Sequence, residues 1–428
     1  MRVYVEPDRE LWPSLSKRVT KNDAMIDWQV GRILDQVKDG GDQGLYQVIK
    51  SVEGQVPVNL RVSPEEFEEA SRTVSDGLKK AILTAAERIG SFHEMEIPKD
   101  SEWNDGSGVT CRRRFLPIRQ VGLYIPGGTA PLFSTVLMLG IPSRIAGCGR
   151  RVICTPARRD GKVAPAVLFA ASVCGIDEVY KIGGAQAIAV MAYGTETIPK
   201  VDKIFGPGNR YVMKAKQVVN KEGVATDMPA GPSEVMVLAD GSAKIPFITS
   251  DLLSQAEHGP DSQVVLVCED LSLARRVQNE ISLQKESLPR KEIVESALAE
   301  SRIIVLKDSR DRIDFANHYA PEHLIIAMKD PEKTAMRIEA AGSVFLGNYS
   351  PESAGDYASG TNHSLPTNGA AVAWSGIGVE CFMHAITYQS LTREGLDALG
   401  NTIITMARAE GLQAHANAVK VRLEYGGE

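Results

Sequence analysis

Residues 234–268 read EVMVLADGSAKIPFITSDLLSQAEHGPDSQVVLVC. Two runs of almost unbroken apolar character, EVMVLA (Glu234–Ala239) and QVVLVC (Gln263–Cys268), flank a stretch that reads as a helix ending at Gly259–Pro260. A strand apolar on both faces is covered on both faces. A helix between two such strands is the unit of a parallel sheet. The pattern repeats in both directions. Downstream come RIIVL (Arg302–Leu306), HLIIA (His323–Ala327) and SVFL (Ser343–Leu346). Upstream lie VGLYI (Val121–Ile125), RVICT (Arg151–Thr155), EVYKI (Glu178–Ile182) and DKIF (Asp202–Phe205). These two series imply two α/β domains that divide near Ser233. The region before Arg119 reads as mostly helical. In RVSPEEFEE (Arg61–Glu69), Ser63 is placed to cap, Pro64 takes the first helical position and acids fill the first turn. The C-terminus returns to helix over Thr392–Ala409, then breaks at Gly411 into a basic and apolar tail.

The chain has 428 residues, 43% hydrophobic and 24% charged, which is enough to bury cores in more than one domain and excludes disordered or low-complexity classes. With 48 Lys and Arg against 54 Asp and Glu, the net charge of −6 argues against a general binder of nucleic acid or anionic membrane. The start, MRVYVEPDRE, lacks the basic and apolar regions of a signal peptide. The uncharged run between Arg119 and Arg144 is long enough to span a bilayer. Pro126, Pro131 and Pro142 break it, so it reads as a strand, a loop and a buried helix. Six cysteines in irregular spacing are too sparse for a disulfide scaffold and read as free thiols in a reducing cytoplasm.

Three strands run into glycine turns: IPGGTAP (Ile125–Pro131), KIGGAQAIA (Lys181–Ala189) and FGPGN (Phe205–Asn209). Ligands of open α/β sheets sit at the carboxyl ends of strands, and glycine there lets backbone N–H groups approach a phosphate. None of the three is GxGxxG, so each alone also reads as a tight turn. Together they favour a nucleotide site.

Four strings carry residues suited to chemistry. In DLLSQAEHGPDSQ, Gln255 and His258 share a helix face and together could hold a divalent metal. On spacing alone they read more readily as a surface amide and a capping imidazole. In NHYAPEHLII, Glu322 and His323 enter an apolar strand and offer two bases of different proton affinity. In SPESAGDYASGTNHSLPT, Asp356 is either a third ligand or a turn residue, and His363 is expected to hydrogen-bond within its loop. In ARAEGLQAHANAV, Glu410 ends a helix, and His415 could reach a metal only if the tail is tied down, for instance on another subunit.

Read together, DLLSQAEHGPDSQ, YAPEHLI, SAGDYASGTNH, DMPAGPSEV and EGLQAH resemble, in order and spacing, the signatures of the histidinol dehydrogenase family. The resemblance runs over essentially the whole chain. It implies an α/β fold of two incomplete Rossmann-like domains with parallel sheets and helical N- and C-terminal extensions. The implied division is an arm at 1–20, a first domain from 21–120 and 235–377, an inserted NAD-binding domain at 121–234, and a dimerising helical tail at 378–428. It implies a cytoplasmic, NAD-dependent oxidoreductase of histidine biosynthesis that converts L-histidinol through L-histidinal to L-histidine with two NAD+. Implied metal ligands for one Zn2+ per subunit are Gln255, His258, Asp356 and His415, the last supplied across a homodimer. The implied catalytic pair is Glu322 and His323. Implied substrate contacts are Ser233, Gln255, His258, His323, Asp356, Glu410 and His415, and implied NAD contacts are Tyr124, Gln186 and Asn209. Three other readings use the same donors: oxidation of a different amino alcohol or diol such as a sulfonated propanediol, a non-catalytic metal-binding protein, and a metal-dependent hydrolase. Glu410 disfavours an anionic substrate, the intact Glu–His pair disfavours a mere binder, and three glycine turns are superfluous in a hydrolase.

Overall fold

The computed structural model describes residues 1–18, 24–54, 56–127 and 131–425. Two parallel sheets organise the chain. The first has six strands in the order Arg2–Val5, Arg302–Val305, Gln263–Cys268, Glu234–Ala239, His323–Ala327 and Ser343–Leu346. The second has five, in the order Glu178–Lys181, Arg150–Thr155, Gln120–Tyr124, Lys203–Phe205 and Ala225–Thr226. Apolar runs cover both faces of each, as period-two alternation requires. In Glu234–Ala239, Val235 and Val237 point into one core with Leu252 and Leu266, while Met236 and Leu238 point into another with Phe315 and Tyr319. The five-stranded sheet divides the same way, Leu123 and Ile153 to one side and Val152 and Cys154 to the other. The α/β class with parallel sheets and helical ends read from the sequence is the observed one.

The sequence reading groups residues 21–120 with 235–377, but packing places the helices differently. The helical run Ala24–Glu53 buries Val30, Leu34, Val37 and Ile49 against the five-stranded sheet. Helix Asp76–Glu94 buries Ile82 and Ile89 on that sheet's other face. Amphipathic periodicity says that a helix covers a sheet; it does not say which one. The run Ala24–Glu53 folds back on itself at Gly41 (φ +52), where an added Cβ would meet the Glu196 carboxylate at 2.6 Å. Only a residue without Cβ takes this left-handed turn against an acid that also accepts the Asp42 N–H at 2.7 Å.

A third sheet, antiparallel, joins Met383–Leu391, Val109–Pro117 and Ser101–Asn104. Its link to the five-stranded sheet is aromatic: Phe382 stacks on Phe205 with ring centroids 4.1 Å apart, and both are fully buried. Beyond it, helices Arg393–Ala409 and Gln413–Glu424 form a hairpin that leaves Met406, Leu412 and Tyr425 exposed. Among the described residues no helix is long and apolar enough to cross a membrane. All six cysteines are free.

Candidate active site

The candidate residues Ser233, Gln255, His258, Glu322, His323 and Asp356 gather at the amino ends of the strands of the six-stranded sheet. Ser233 precedes the strand Glu234–Ala239, and His323 opens the neighbouring strand in register with Val235. Helix Ile245–Ala256 runs back to the same edge, so its last turn delivers Gln255 and the residues after it deliver His258. The short helix Glu352–Tyr357 lies inside the string SPESAGDYASGTNHSLPT and adds Glu352 and Asp356.

These side chains converge. One donor atom each from His258, Glu352 and Asp356 lie within 4.8 Å of one another, close enough to share an ion. His323 stands beside them with Nε2 facing Asp356 Oδ1 at 3.6 Å. Its Nδ1 faces Glu322 Oε2 at 3.6 Å and the Glu234 carbonyl at 3.2 Å. Glu322 Oε2 accepts the Glu234 N–H at 2.7 Å. Ser233 Oγ lies 3.4 Å from His258 Nδ1. His363 turns inward, as expected from its loop, and its Nδ1 meets the Asp356 carbonyl at 2.9 Å.

The electrostatics suit a cation. Glu322, Glu352 and Asp251 are buried acids, and burial raises the pKa of each: Asp251 to about 6 and Glu352 to about 8. Burial disfavours a charged His323, yet Glu322 and Asp356 hold its pKa well above the ordinary histidine value. The charges acting on Glu352 are His323 on one side and Asp356, Glu322 and Asp251 on the other. Gln255 is fully buried between two of these acids. With its amide nitrogen toward Glu322 Oε2 at 3.4 Å, its oxygen faces only acceptors around Glu352. Turned over, the nitrogen reaches Glu352 Oε2 at 3.3 Å and the oxygen accepts from Glu234 N at 3.0 Å. An amide oxygen aimed at carboxylates is repulsive alone and becomes favourable once a cation sits among them. Mixed imidazole, carboxylate and amide donors are the ligand types a divalent metal takes, so the residues present fit a metal.

Sequence reasoning missed Glu352. It lies one helical turn before Asp356, and that spacing on a helix was the only available signal. The chain's own Glu410 and His415 do not join the cluster. Glu410 caps the helix Arg393–Ala409 and His415 lies on Gln413–Glu424, both on the exposed hairpin.

The glycine turns belong to the other sheet, at the carboxyl ends of its strands. A cavity of about 490 Å³ opens there, lined by Gln186 and Asn209 on one side and by Trp28 and Arg32 of the run Ala24–Glu53 on the other. Gln186 Nε2 donates to Glu53 at 2.8 Å, and Asn209 Oδ1 caps helix Arg210–Lys221 by accepting from Tyr211 N at 3.0 Å. Tyr124 is buried behind the turn, where its hydroxyl accepts the Gly184 N–H at 3.2 Å. Gly184 has φ +62, which lets the helix start turn so tightly. Of the first turn, 128–130 fall outside the described residues.

Comparison with known proteins agrees along the full length. The family model "Histidinol dehydrogenase" matches residues 16–423. The chain is 50% identical over 425 residues to histidinol dehydrogenase of Bacteroides fragilis strain YCH46, covering 99% of each. It is 50% identical over 395 residues to histidinol dehydrogenase of Xylella fastidiosa strain Temecula1, covering 92% of each. The crystal structure of histidinol dehydrogenase from Elizabethkingia anophelis superposes with a TM-score of 0.96 at 47% identity, over 99% of this chain and 98% of that one.

Proposed function

This chain belongs to the histidinol dehydrogenase family, and we propose that it oxidises L-histidinol through L-histidinal to L-histidine with two NAD+ and one Zn2+ per subunit, the last step of histidine biosynthesis. The observation that best supports the reading is the approach of His258, Asp356 and the buried amide of Gln255 beside Glu322 and His323. We assign the metal to Gln255, His258 and Asp356, with His415 of the partner subunit as fourth ligand and Glu352 supporting Gln255. When bound, Zn2+ would hold and orient the nitrogens of the amino alcohol, and NAD+ would accept each hydride.

The proton work falls to the chain. His323 takes the alcohol proton in the first oxidation at Nε2, the nitrogen that faces Asp356 and the metal cluster. Its Nδ1 is backed by the Glu234 carbonyl and Glu322, which fixes the ring and favours the protonated form. Glu322 then activates water for attack on the bound aldehyde, and the hydrate gives up the second hydride. Burial makes this carboxylate a stronger base than an exposed one. No thiol is needed: burial pushes the Cys148 thiol up to about 11, far from a ready nucleophile.

Ser233, Gln255, His258, His323 and Asp356 contact the substrate from one subunit, and Glu410 and His415 from the other. Glu410 supplies a carboxylate for a cationic or hydrogen-donating group. Gln186 and Asn209 would hold NAD+ in the cleft of the five-stranded sheet, with Tyr124 holding the turn. On this reading 121–234 is the NAD-binding unit, and 378–428 the dimerising tail, whose exposed Met406, Leu412 and Tyr425 supply the apolar contact. The enzyme works in the cytoplasm, where its six free thiols persist. The test is stoichiometry: two NADH per histidinol, lost on chelation and restored by Zn2+. No NADH from histidinol, Zn2+ and NAD+ at mildly alkaline pH would reject the proposal.

A further inference from the structure

Glu322 and His323 are both held by a single residue outside their own strand. The Glu234 N–H donates to Glu322 Oε2 at 2.7 Å, and the Glu234 carbonyl faces His323 Nδ1 at 3.2 Å. The position of Glu234 therefore sets both bases. Its own carboxylate is 1% exposed and is gripped by Arg18 in a fork, Nε to Oε1 and Nη2 to Oε2, each at 3.0 Å. The same guanidinium donates to the carbonyls of Ser16 at 2.9 Å and Tyr319 at 2.6 Å, and lies 3.6 Å over the Tyr319 ring. Tyr319 ends the helix Ser309–Tyr319, and the next residue, Ala320, is left-handed with φ +50. A non-glycine residue holds that conformation only where its surroundings impose it. From Ala320 the chain passes through Pro321 directly into Glu322. One cation from the N-terminal arm thus braces both supports of the pair, the Glu234 strand and the strained turn.

We propose that Arg18 is a positioning residue for the oxidation, acting through Glu234 and the Tyr319–Ala320 turn to fix Glu322 and His323. The inference rests on the reading of that pair as the groups that move protons. Arg18 does not touch the reacting atoms. A buried ion pair is a weak source of net stability, because desolvation offsets the attraction, so its use here is geometry. Arginine suits this role because its planar fork engages two carboxylate oxygens while stacking on a ring, whereas a lysine ammonium makes only a point contact.

The test compares Arg18→Met, Arg18→Lys and Glu322→Gln in the full-length, zinc-loaded enzyme. Measured quantities are kcat and KM with histidinol and with histidinal, zinc content, and amide hydrogen exchange over 320–324. A displacement of the pair by an ångström costs on the order of 10²-fold. Arg18→Met should lose about that factor in kcat with both substrates, at near-unchanged KM and zinc content and with faster exchange at 320–324. Arg18→Lys should recover part of the loss. Should Arg18→Met fail to fold, Glu234→Gln, whose one amide oxygen can still accept the Asn368 N–H that Glu234 Oε1 accepts at 2.7 Å and one arm of Arg18, should lower kcat at unchanged KM. A wild-type kcat in Arg18→Met or Glu234→Gln overturns the proposal. So does a loss of kcat that follows lost zinc and that Arg18→Lys does not relieve. If Glu322→Gln retains full activity, the proton-transfer reading itself fails. If it is inactive while Arg18→Met is normal, only the role of Arg18 fails.

Discussion

Replacing Glu322 by Gln should separate the two proposed oxidations. The carboxylate accepts the Glu234 N–H at 2.7 Å, and an amide oxygen can accept that bond equally well, so the fold and His323 should stay in place. What is lost is the base. If Glu322 activates the water that attacks the aldehyde, the second oxidation should slow by roughly 10²–10⁴-fold. That corresponds to about 2.7–5.4 kcal/mol of barrier at 1.36 kcal/mol per decade. The first oxidation is assigned to His323, which in the variant should keep the Glu234 carbonyl at 3.2 Å and Asp356 at 3.6 Å but lose the Glu322 charge. It should slow far less. Rapid-mixing assays started separately from histidinol and from histidinal read the two steps as NADH formed. From histidinol, the variant should give a first turnover of one NADH and then stall. Equal and severe slowing of both steps would refute the division of roles.

Three further perturbations probe other parts of the account. Glu352→Gln removes the acid that faces Gln255 and should weaken zinc retention about 10–100-fold in competition with a chelator; unchanged retention would exclude Glu352 from the metal's surroundings. Burial lifts Asp251 from 3.8 to about 6, so its stabilising protonated form is complete below pH 4 and lost as pH rises through 6. The metal-free protein should therefore lose up to about 3 kcal/mol from this group between those limits, and urea unfolding of Asp251→Asn should lack that slope; an identical pH profile would contradict the assignment. Phe382→Ala empties a fully buried site stacked 4.1 Å from Phe205 and should cost about 3–5 kcal/mol in denaturant unfolding; a loss under 1 kcal/mol would mean that the third sheet is not anchored there.

Nine strands of the two parallel sheets were legible as apolar runs; Gln263–Cys268 and His323–Ala327 are such runs because they are buried on both faces, whereas the edge strand Ser343–Leu346 leaves Val344 exposed. The antiparallel sheet was not. Met383–Leu391 is exposed along almost its whole length and Val109–Pro117 is mostly half-buried, with Arg112–Arg114 exposed, and stretches such as RRR and TYQS carry no core signature. Arg2–Val5 is four residues long and is ordered by pairing with Arg302–Val305, a partner no local pattern names. The rule that ligands sit at carboxyl ends of strands found the glycine turns. It pointed away from the cluster of His258, Glu352 and Asp356, which lies at the amino ends of the other sheet. Gln255, His258, Glu322, His323 and Asp356 could be picked out as residue types, but only folding shows that they face one another. Glu352 hid in a stretch read as loop, and the Arg18–Glu234 pair joins positions 216 residues apart.

The claim on which the rest depends is that the amide of Gln255, the ring of His258 and the carboxylate of Asp356 share one divalent ion that presents the substrate to Glu322 and His323. The most direct measurement is a crystal structure of the zinc complex with histidinol, with the metal identified by anomalous scattering. Zinc should be bound by those three side chains and by His415 of the partner subunit, with the substrate nitrogens completing its shell and the hydroxyl within reach of His323 Nε2. Zinc located elsewhere, or bound with Gln255 and Asp356 both outside its coordination shell, would contradict it.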